Sequence, residues 1–228
     1  MKRAIILAGG LGTRLMPYTT VIPKPLVPID DKPILEIVIK QLKVHGFEHI
    51  TLAVNHKADL IKAYFQDGNN LGVEIDYTYE EKKLGTMGPL KLVHDLPEDF
   101  LIMNGDIITD LNFSKFFNLH LANKKIFTIS STERTSFIDY GVLEVEDSVL
   151  TKMNEKPIFS HLVSMGIYCA RKDILSYIPE NTFFGFDSLM EALISANENP
   201  YVATHKGEWL DIGRPEDYEH ACKKYKGK

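Results

Sequence analysis

The chain begins with a short apolar run that ends at two glycines. Residues 4–8 are Ala-Ile-Ile-Leu-Ala, and Gly9 and Gly10 follow at once. A continuous run without polar alternation is typical of a strand that is buried on both faces, as the strands of parallel sheets are. Parallel strands are joined by crossovers that are usually helices, so this feature favours an α/β chain.

The rest of the chain continues the alternation of strand and helix. Strands are predicted at 50–54, 73–77, 100–103, 126–130, 162–169 and 201–204, and helices at 33–44, 60–65, 87–96, 113–121, 187–195 and 215–225. In the second helix, Leu60, Ile61, Tyr64 and Phe65 share one face. A hairpin is predicted from residue 140 to residue 153. We therefore predict one α/β domain over 1–228, with a Rossmann-like, mixed and mostly parallel sheet flanked by helices, and a small β-rich lobe.

Composition excludes several classes of protein. Of the 228 residues, 44% are hydrophobic and 25% are charged, which is average for a globular protein and unlike a disordered, collagenous or coiled-coil chain. A net charge of −5 argues against a broad surface for nucleic acid or for an anionic membrane. No apolar run approaches the ~20 residues of a membrane helix, and no signal peptide is recognised, so we expect a cytoplasmic protein. The two cysteines, Cys169 and Cys222, are too far apart for a zinc motif.

The strongest motif follows the first strand. The loop Leu7-Ala-Gly-Gly-Leu-Gly-Thr-Arg-Leu15 lets the backbone approach a ligand and present N–H groups to phosphate oxygens. It lacks the Lys-Ser/Thr ending of a P-loop and the Gly-x-Gly-x-x-Gly spacing of a dinucleotide-binding turn. Four prolines between residues 17 and 28 predict a stiff, extended segment that carries Lys24 beyond Arg14. Two cations beside a glycine loop indicate a triphosphate site rather than a solvated turn.

Three further motifs are weaker when taken alone. Asp106 closes the apolar run that ends in Met103-Asn-Gly, where a carboxylate is well placed for Mg²⁺, but taken alone the Gly-Asp pair favours a surface turn. Asp211, in Trp209-Leu-Asp-Ile-Gly213, is either a second metal carboxylate or a buried structural aspartate. Lys156, beside Glu155, could meet a second anionic substrate, but from spacing alone the pair favours an ordinary exposed turn.

Taken together, these motifs resemble those of a known family. The chain is similar to the sugar-1-phosphate nucleotidyltransferases, and within them looks closest to the mannose-1-phosphate guanylyltransferases. The resemblance extends from residue 3 to about 220 and rests on Gly9-Gly-Leu-Gly-Thr-Arg14, Pro23-Lys-Pro-Leu26, Leu84-Gly-Thr86, Asn104-Gly-Asp106, Glu155-Lys-Pro157 and Trp209-Leu-Asp-Ile-Gly213. Such enzymes transfer a nucleotidyl group from a nucleoside triphosphate to a sugar 1-phosphate and release pyrophosphate.

The resemblance implies roles for individual residues. Arg14, Lys24 and Asp106 would be catalytic, and Asp106 and Asp211 would hold Mg²⁺. Gly85 would lie close to the nucleobase. The nucleotide would contact Leu7, Ala8, Gly9, Gly10, Gly12, Thr13, Arg14, Glu80, Gly85, Thr86 and Asn104. Residues 1–110 would therefore bind mainly the nucleotide.

The resemblance also implies a sugar-binding role for the β-rich lobe, so that residues 135–213 would bind mainly the sugar phosphate. Lys24, Gly141, Glu155, Lys156 and Ser164 would contact it. Ser164-Met-Gly166 stands where many members have Asn-Ala-Gly, which leaves the identity of the sugar open. We expect no appended β-helix or regulatory domain, and the habits of the family suggest a homodimer.

Several alternatives stay open at this point. GTP with mannose 1-phosphate or a related hexose or heptose 1-phosphate is the leading pair of substrates, and a uridylyl-, thymidylyl- or cytidylyltransferase is the close rival. A catalytically silent nucleotide-sugar sensor would use the same pocket for binding only. An NAD-dependent dehydrogenase would use Asp30 or Asp31 to bind ribose, but the glycine spacing and the prolines disfavour it.

Overall fold

The computed structural model describes residues 2–226. The strands are β1 Lys2–Leu7, β2 Pro28–Ile29, β3 Lys32–Pro33, β4 Phe47–Val54, β5 Glu74–Tyr79, β6 Asp99–Asn104, β7 Ile107–Thr109, β8 Phe127–Phe137, β9 Gly141–Glu146, β10 Val149–Glu155, β11 Ile158–Arg171, β12 Tyr201–Thr204 and β13 Trp209–Asp211. The helices are α1 Ile34–Val44, α2 Ala58–Phe65, α3 Phe113–Asn123, α4 Phe186–Ser195 and α5 Pro215–Tyr225.

Seven of the strands form the central sheet, in the order β12-β8-β11-β6-β1-β4-β5. Strand β11 runs antiparallel to its two neighbours, β6 and β8, and every other neighbouring pair is parallel. The predicted Rossmann-like, mixed and mostly parallel sheet is therefore confirmed. Because β1, β4, β5 and β6 are parallel neighbours, their carboxyl ends meet at one edge of the sheet.

Both faces of the sheet are covered, as the unbroken apolar run at residues 4–8 predicts. On β1, Ala4 and Ile6 pack into the core that is shared with α1, α2 and α3, while Ile5 packs into the opposite core against α4. Neighbouring β6 alternates in the same way. The three β1 residues are fully buried, and this packing fixes the edge at which the following loops emerge.

Three local predictions are wrong. The helix predicted at 87–96 is only a short 3-10 helix, Gly88–Leu92, because the backbone is already extended at Val93. The segment beyond Arg14 is not extended but forms 3-10 turns at 13–15, 18–20 and 24–26, which the φ angle of proline also permits. In α2, Leu60 and Tyr64 are exposed, and the buried face is formed by Ala58, Ile61 and Phe65.

A β-rich lobe extends from the sheet, as predicted. Strands β8 and β11 stay paired beyond the core, from Thr132 with Val163 to Phe137 with Ile158. Between them, β9 and β10 form an antiparallel hairpin. We call residues 132–163 the lobe. Within residues 2–226, no helix is both long and apolar enough to span a membrane.

Candidate active site

An open cleft of about 860 Å³ lies at the carboxyl ends of β1, β4, β5 and β6. Main-chain hydrogen bonds hold its walls: the N–H of Gly105 donates to the carbonyl of Leu7 at 3.0 Å, and the N–H of Ala8 donates to that of Ala53 at 2.8 Å. The cleft is lined by Leu7, Ala8, Gly9, Gly10, Leu11, Gly12, Thr13, Arg14, Leu15, Lys24, Pro25, Asn55, Glu80, Lys83, Gly85, Thr86, Pro89, Asn104, Gly105, Asp106, Phe183, Gly185, Phe186, Asp187 and Gly213. Every residue predicted to bind the nucleotide is among them.

The glycine loop follows β1 and forms one wall of this cleft. Gly12 has a φ of 67°, and a Cβ there would lie 2.8 Å from Thr19 Cγ2 and 2.9 Å from Lys24 Cβ. The hydroxyl of Thr19 donates to the carbonyl of Gly12 at 2.8 Å. Gly10 differs, because no atom would lie within 4 Å of a Cβ there. Gly12 therefore holds the loop against Lys24, whereas Gly10 leaves open space for a ligand.

This contrast gives a matched pair of variants. Gly12→Ala should lower the free energy of unfolding by about 1–2 kcal/mol, since alanine is strained at positive φ and also meets Thr19 and Lys24. The melting temperature should fall by roughly 2–8 °C. Gly10→Ala should melt like the wild type but bind nucleoside triphosphate more weakly. Thermal unfolding and nucleotide titration of both variants test this, and equal melting temperatures would contradict it.

Two cations and two carboxylates converge at the end of the loop. Lys24 is buried and pairs with Asp106, and Arg14 Nη1 lies 4.0 Å from Asp211 Oδ2. The N–H of Ile212 donates to the carbonyl of Asp106 at 2.9 Å, which fixes the two aspartate segments side by side. The structure thus brings together all of the predicted catalytic and metal residues.

Gly213 lies at the centre of this cluster. A Cβ there would lie 2.6 Å from Lys24 Nζ, 2.8 Å from Arg14 Nη2 and 2.9 Å from Asp211 Oδ1. The Gly213 N–H donates to Asp211 Oδ1 at 2.9 Å. The missing side chain therefore makes the room that the two cations occupy. Both cations lie where they can neutralise several phosphate oxygens at once.

The donor set suits a hard cation that keeps several waters. Among residues 2–226, no group of three or more His, Cys, Asp or Glu side chains is arranged to hold a metal ion. Asp106 and Asp211 nevertheless supply carboxylate oxygens from adjacent segments, and Mg²⁺ usually takes only one or two such ligands beside substrate phosphates. The two aspartates therefore suit a Mg²⁺ ion that keeps several water ligands, rather than an ion coordinated entirely by protein groups.

Glu80 and Gly85 line another part of the cleft, where Glu80 lies next to Gly9 of the glycine loop. Glu80 follows β5, and burial raises the pKa of its carboxyl, while a hydrogen bond from the Leu84 N–H opposes the shift. Gly85 has a φ of 80°, and a Cβ there would lie 2.6 Å from the carbonyl oxygen of Phe184. The hydroxyl of Thr86 accepts a hydrogen bond from the N–H of Phe186 at 2.9 Å. This part of the cleft is thus locked to the segment that precedes α4.

The predicted sugar-phosphate residues lie mostly in the lobe. Gly141 and Glu155 pair across the hairpin, and Lys156 Nζ lies 2.8 Å from Asp139 Oδ1. Ser164 Oγ accepts a hydrogen bond from the N–H of Gly166 at 3.2 Å.

Gly166 links this region to the cleft. A Cβ on Gly166 would lie 2.5 Å from Asn104 Nδ2, and Asn104 lines the cleft. Of the five predicted sugar-phosphate residues, only Lys24 lines the cleft itself; the other four, which the structure also describes, lie outside it.

Comparison with known proteins identifies the family. Residues 3–228 match the family model described as Nucleotidyl transferase. The chain belongs to this family. This nucleotidyl transferase is 35% identical to D-glycero-alpha-D-manno-heptose 1-phosphate guanylyltransferase of Campylobacter jejuni, over 96% of this chain and 97% of that protein. The predicted resemblance is thereby confirmed.

Two further similarities bear on length and fold. The nucleotidyl transferase is 33% identical to UTP–glucose-1-phosphate uridylyltransferase of Synechocystis sp., over 97% of this chain but only 62% of that protein. Among solved structures, the chain is similar to HddC from Yersinia pseudotuberculosis complexed with GMP-PN. The two chains are 30% identical in sequence and superpose with a TM-score of 0.74, and the match covers 99% of this chain and 100% of that one.

Some cleft residues of this nucleotidyl transferase were not predicted. Asn55 directly follows β4, and the reasoning that singled out Asp106 just after the strand β6 would also have found it. Phe183, Phe186 and Asp187 had no comparable motif, because they come from a distant part of the chain and reach the cleft only by packing against residues 84–88.

Proposed function

We propose that this chain transfers a guanylyl group from GTP to a sugar 1-phosphate, giving a GDP-sugar and pyrophosphate. The acceptor would be mannose 1-phosphate or a related hexose or heptose 1-phosphate. The observation that carries the proposal is the convergence of Arg14, Lys24, Asp106 and Asp211 around Gly213 at the end of a glycine loop. The Campylobacter jejuni relative, named as a heptose 1-phosphate guanylyltransferase, matches over nearly its whole length and supports the choice of substrates.

The proposed reaction needs no protein nucleophile. An oxygen of the sugar phosphate attacks the α-phosphorus of GTP, the bond from that phosphorus to the bridging oxygen breaks, and pyrophosphate leaves with the electron pair. Positioning of the two substrates and stabilisation of charge then account for catalysis. Arg14 and Lys24 offset the charge that develops on the phosphate oxygens, and the N–H groups of the glycine loop orient the triphosphate. Asp106 and Asp211 would hold Mg²⁺, which supplies further positive charge at the phosphates.

The lobe would receive the second substrate. In this proposal Lys156 binds the phosphate of the sugar, Glu155 and Ser164 bind its hydroxyls, and Gly141 leaves room for the ring. The contact of Gly166 with Asn104 supports it, since it places the Ser164 segment against a residue that lines the cleft. The division into a nucleotide half, 1–110, and a sugar half, 135–213, stays a prediction, as does a cytoplasmic location.

Pyrophosphate release tests the proposal. The purified chain would be offered GTP, UTP, CTP, dTTP or ATP with each of a panel of sugar 1-phosphates, in Mg²⁺ and in chelator. Release that needs GTP, a hexose or heptose 1-phosphate and Mg²⁺ is the expected result. The uridylyltransferase named among the relatives makes UTP the main competitor, and a preference for UTP would replace the proposed base. Nucleotide binding without release would favour a sensor.

We also propose that a second copy of the chain covers one face of the lobe hairpin. Leu143 pairs with Met153 and Val145 pairs with Leu150, so the four apolar side chains share one face, and each is more than half exposed. The opposite face carries the ion pair between Glu144 and Lys152. An exposed apolar patch of this kind suits the self-complementary contact of a two-fold dimer.

Light scattering after gel filtration tests this contact. The wild type should have twice the chain mass, and Val145→Glu should have the mass of one chain with an unchanged far-UV circular dichroism spectrum, because a charge cannot be buried in an apolar contact. Lys152→Gln, on the opposite face of the hairpin, is the matched control and should stay dimeric. A monomeric wild type, or a dimeric Val145→Glu, contradicts the proposal.

A further inference from the structure

Strand β13 carries Asp211 to the cluster around Gly213, and it is paired on one edge only. Among residues 2–226, β13 pairs with β7 and with no other strand. The N–H of Ile212 points to that edge, since it donates to the carbonyl of Asp106 at 2.9 Å. Neighbouring N–H groups of a strand point to opposite edges, so the N–H of Asp211 points away from β7. An acceptor outside the sheet therefore has to satisfy it.

Asp217 supplies this acceptor. It lies in the first turn of α5, its side chain is only 16% exposed, and its Oδ2 accepts a hydrogen bond from the Asp211 N–H at 3.0 Å. Oδ1 of Asp211 accepts a second hydrogen bond, from the Gly213 N–H, and Oδ2 is the oxygen that faces Arg14. The backbone and the carboxylate of Asp211 are thus held by separate hydrogen bonds.

The lobe holds Asp217 from its other side. Arg134 lies on the part of β8 that extends beyond the core, and its Nη2 lies 3.7 Å from Asp217 Oδ2. The guanidinium also lies over the ring of Trp209, with Cζ 4.8 Å from the ring centroid. Trp209 Nε1 in turn donates to the carbonyl of Met165 at 2.9 Å. Arg134 therefore contacts both the start of β13 and the carboxylate that holds the Asp211 N–H.

This arrangement fixes geometry more than it stabilises the fold. The side chain of Arg134 is 43% exposed, and an ion pair that is open to water contributes little to the free energy of unfolding. The position of a metal ligand is more sensitive, because Mg²⁺ tolerates little departure from octahedral geometry. Groups that hold a ligand in place without touching the metal commonly control metal affinity. A shift of the Asp211 backbone would move its carboxylate as well.

We infer that Asp217 is a positioning residue for Asp211 and that Arg134 holds Asp217 in place, so that metal binding at Asp211 depends on a contact made by the lobe. The inference rests on the proposed function, in which Asp211 holds Mg²⁺ and the lobe receives the sugar phosphate. It gives a role to two residues that do not line the cleft. It also links the part of the chain that would bind the sugar to the metal site.

Pyrophosphate release over a range of Mg²⁺ concentrations tests Asp217. Asp217→Ala removes the acceptor and should raise the Mg²⁺ concentration for half-maximal turnover about 10- to 100-fold. Turnover at saturating Mg²⁺ should recover, because the metal ligands are intact. Asp217→Asn keeps an oxygen that can accept from the Asp211 N–H, so it should need less Mg²⁺ than Asp217→Ala. Glu216→Ala removes the same charge from the same turn at an exposed position, and this matched control should keep the wild-type requirement.

Arg134→Met separates positioning from charge. Methionine keeps an apolar side chain beside Trp209 but has no charge to hold Asp217. If charge alone mattered, removal of a nearby cation would strengthen Mg²⁺ binding and lower the Mg²⁺ requirement. Positioning predicts the opposite result, a requirement that is about 2- to 5-fold higher than in the wild type.

Hydrogen exchange measured by mass spectrometry gives a second readout that needs neither metal nor turnover. In the metal-free chain, peptides that cover residues 209–213 should exchange faster in Asp217→Ala and in Arg134→Met than in the wild type. Peptides from the central sheet should exchange at wild-type rates in both variants. Glu216→Ala should match the wild type throughout.

The outcomes distinguish the inference from the proposed function. A folded Asp217→Ala with the wild-type Mg²⁺ requirement, or an Arg134→Met that needs less Mg²⁺, overturns the inference and leaves guanylyl transfer intact. Equal requirements in Asp217→Asn and Asp217→Ala, with unchanged hydrogen exchange, would reduce Asp217 to its charge and also overturn it. If Asp217→Ala does not fold, Asp217→Asn and Arg134→Met carry the same test. A wild type that releases no pyrophosphate from any pair of substrates overturns the proposed function, and the inference with it.

Discussion

An Arg14→Ala variant should turn over about 10²- to 10³-fold more slowly than the wild type and yet unfold at nearly the same temperature. The Arg14 side chain is 64% exposed, and its nearest carboxylate oxygen is 4.0 Å away, so its removal leaves no buried partner without a hydrogen bond. Its guanidinium nevertheless lies beside Lys24 and Asp211 at Gly213, where phosphate charge would develop. The loss should appear mainly in kcat, since the group acts most strongly on the transition state.

Arg171→Ala is the matched control for Arg14. Arg171 pairs with Glu98 and Asp173, and it lies opposite Asp99, at the end of β6 that is remote from the cleft. It should keep wild-type turnover in the pyrophosphate-release assay. If the Arg14→Ala variant also kept wild-type turnover, the catalytic role assigned to Arg14 in the glycine loop would be wrong.

The second large effect is expected at Asp106. Asp106→Asn should lower turnover by about 10³-fold, because the substitution removes the charge that would hold Mg²⁺. Pyrophosphate release measured over a range of Mg²⁺ concentrations should show that the variant needs much more metal. In excess chelator the wild type should fall at least to the level that the variant shows in ordinary Mg²⁺, and the variant should also lose its remaining turnover.

Lys24 provides the control for Asp106. Lys24 is buried and paired with Asp106, so the single Asp106→Asn change leaves an ammonium without its counter-charge and should destabilise the fold. The double variant Lys24→Met with Asp106→Asn removes both charges and should recover stability but not turnover. An Asp106→Asn protein with the Mg²⁺ response of the wild type would show that this aspartate does not hold the metal.

The nucleotide side of the cleft could be predicted from the sequence because its residues come soon after buried strands along the chain. Gly10, Gly12 and Asp106 each follow a buried strand, and parallel strands bring their carboxyl ends to one edge. Asp211 reaches the same place through β13, which pairs with β7 just after Asp106. The glycine loop after the first apolar run indicated a phosphate site, whereas the roles predicted for Asp106 and Asp211 came from the resemblance to the family.

Other features depend on contacts between distant residues and could not be predicted in this way. Phe183 and Asp187 reach the cleft only because the Phe184 backbone pairs with Leu84 and Met87. The alternation of β9 and β10 predicted a hairpin, but it could not show that the apolar face, including Leu143 and Val145, stays exposed. In the segment 87–96 an apolar pattern resembled a helix, although the extended backbone at Val93 limits it to the short 3-10 helix Gly88–Leu92.

The most direct test of the central claim follows the label from two forms of GTP. With GTP labelled at the α-phosphate, a hexose or heptose 1-phosphate and Mg²⁺, the label should appear in a GDP-sugar, and with GTP labelled at the γ-phosphate it should appear in pyrophosphate. This pattern requires attack at the α-phosphorus. Label from the γ-phosphate on the sugar, or label from the α-phosphate in free GMP, would contradict guanylyl transfer.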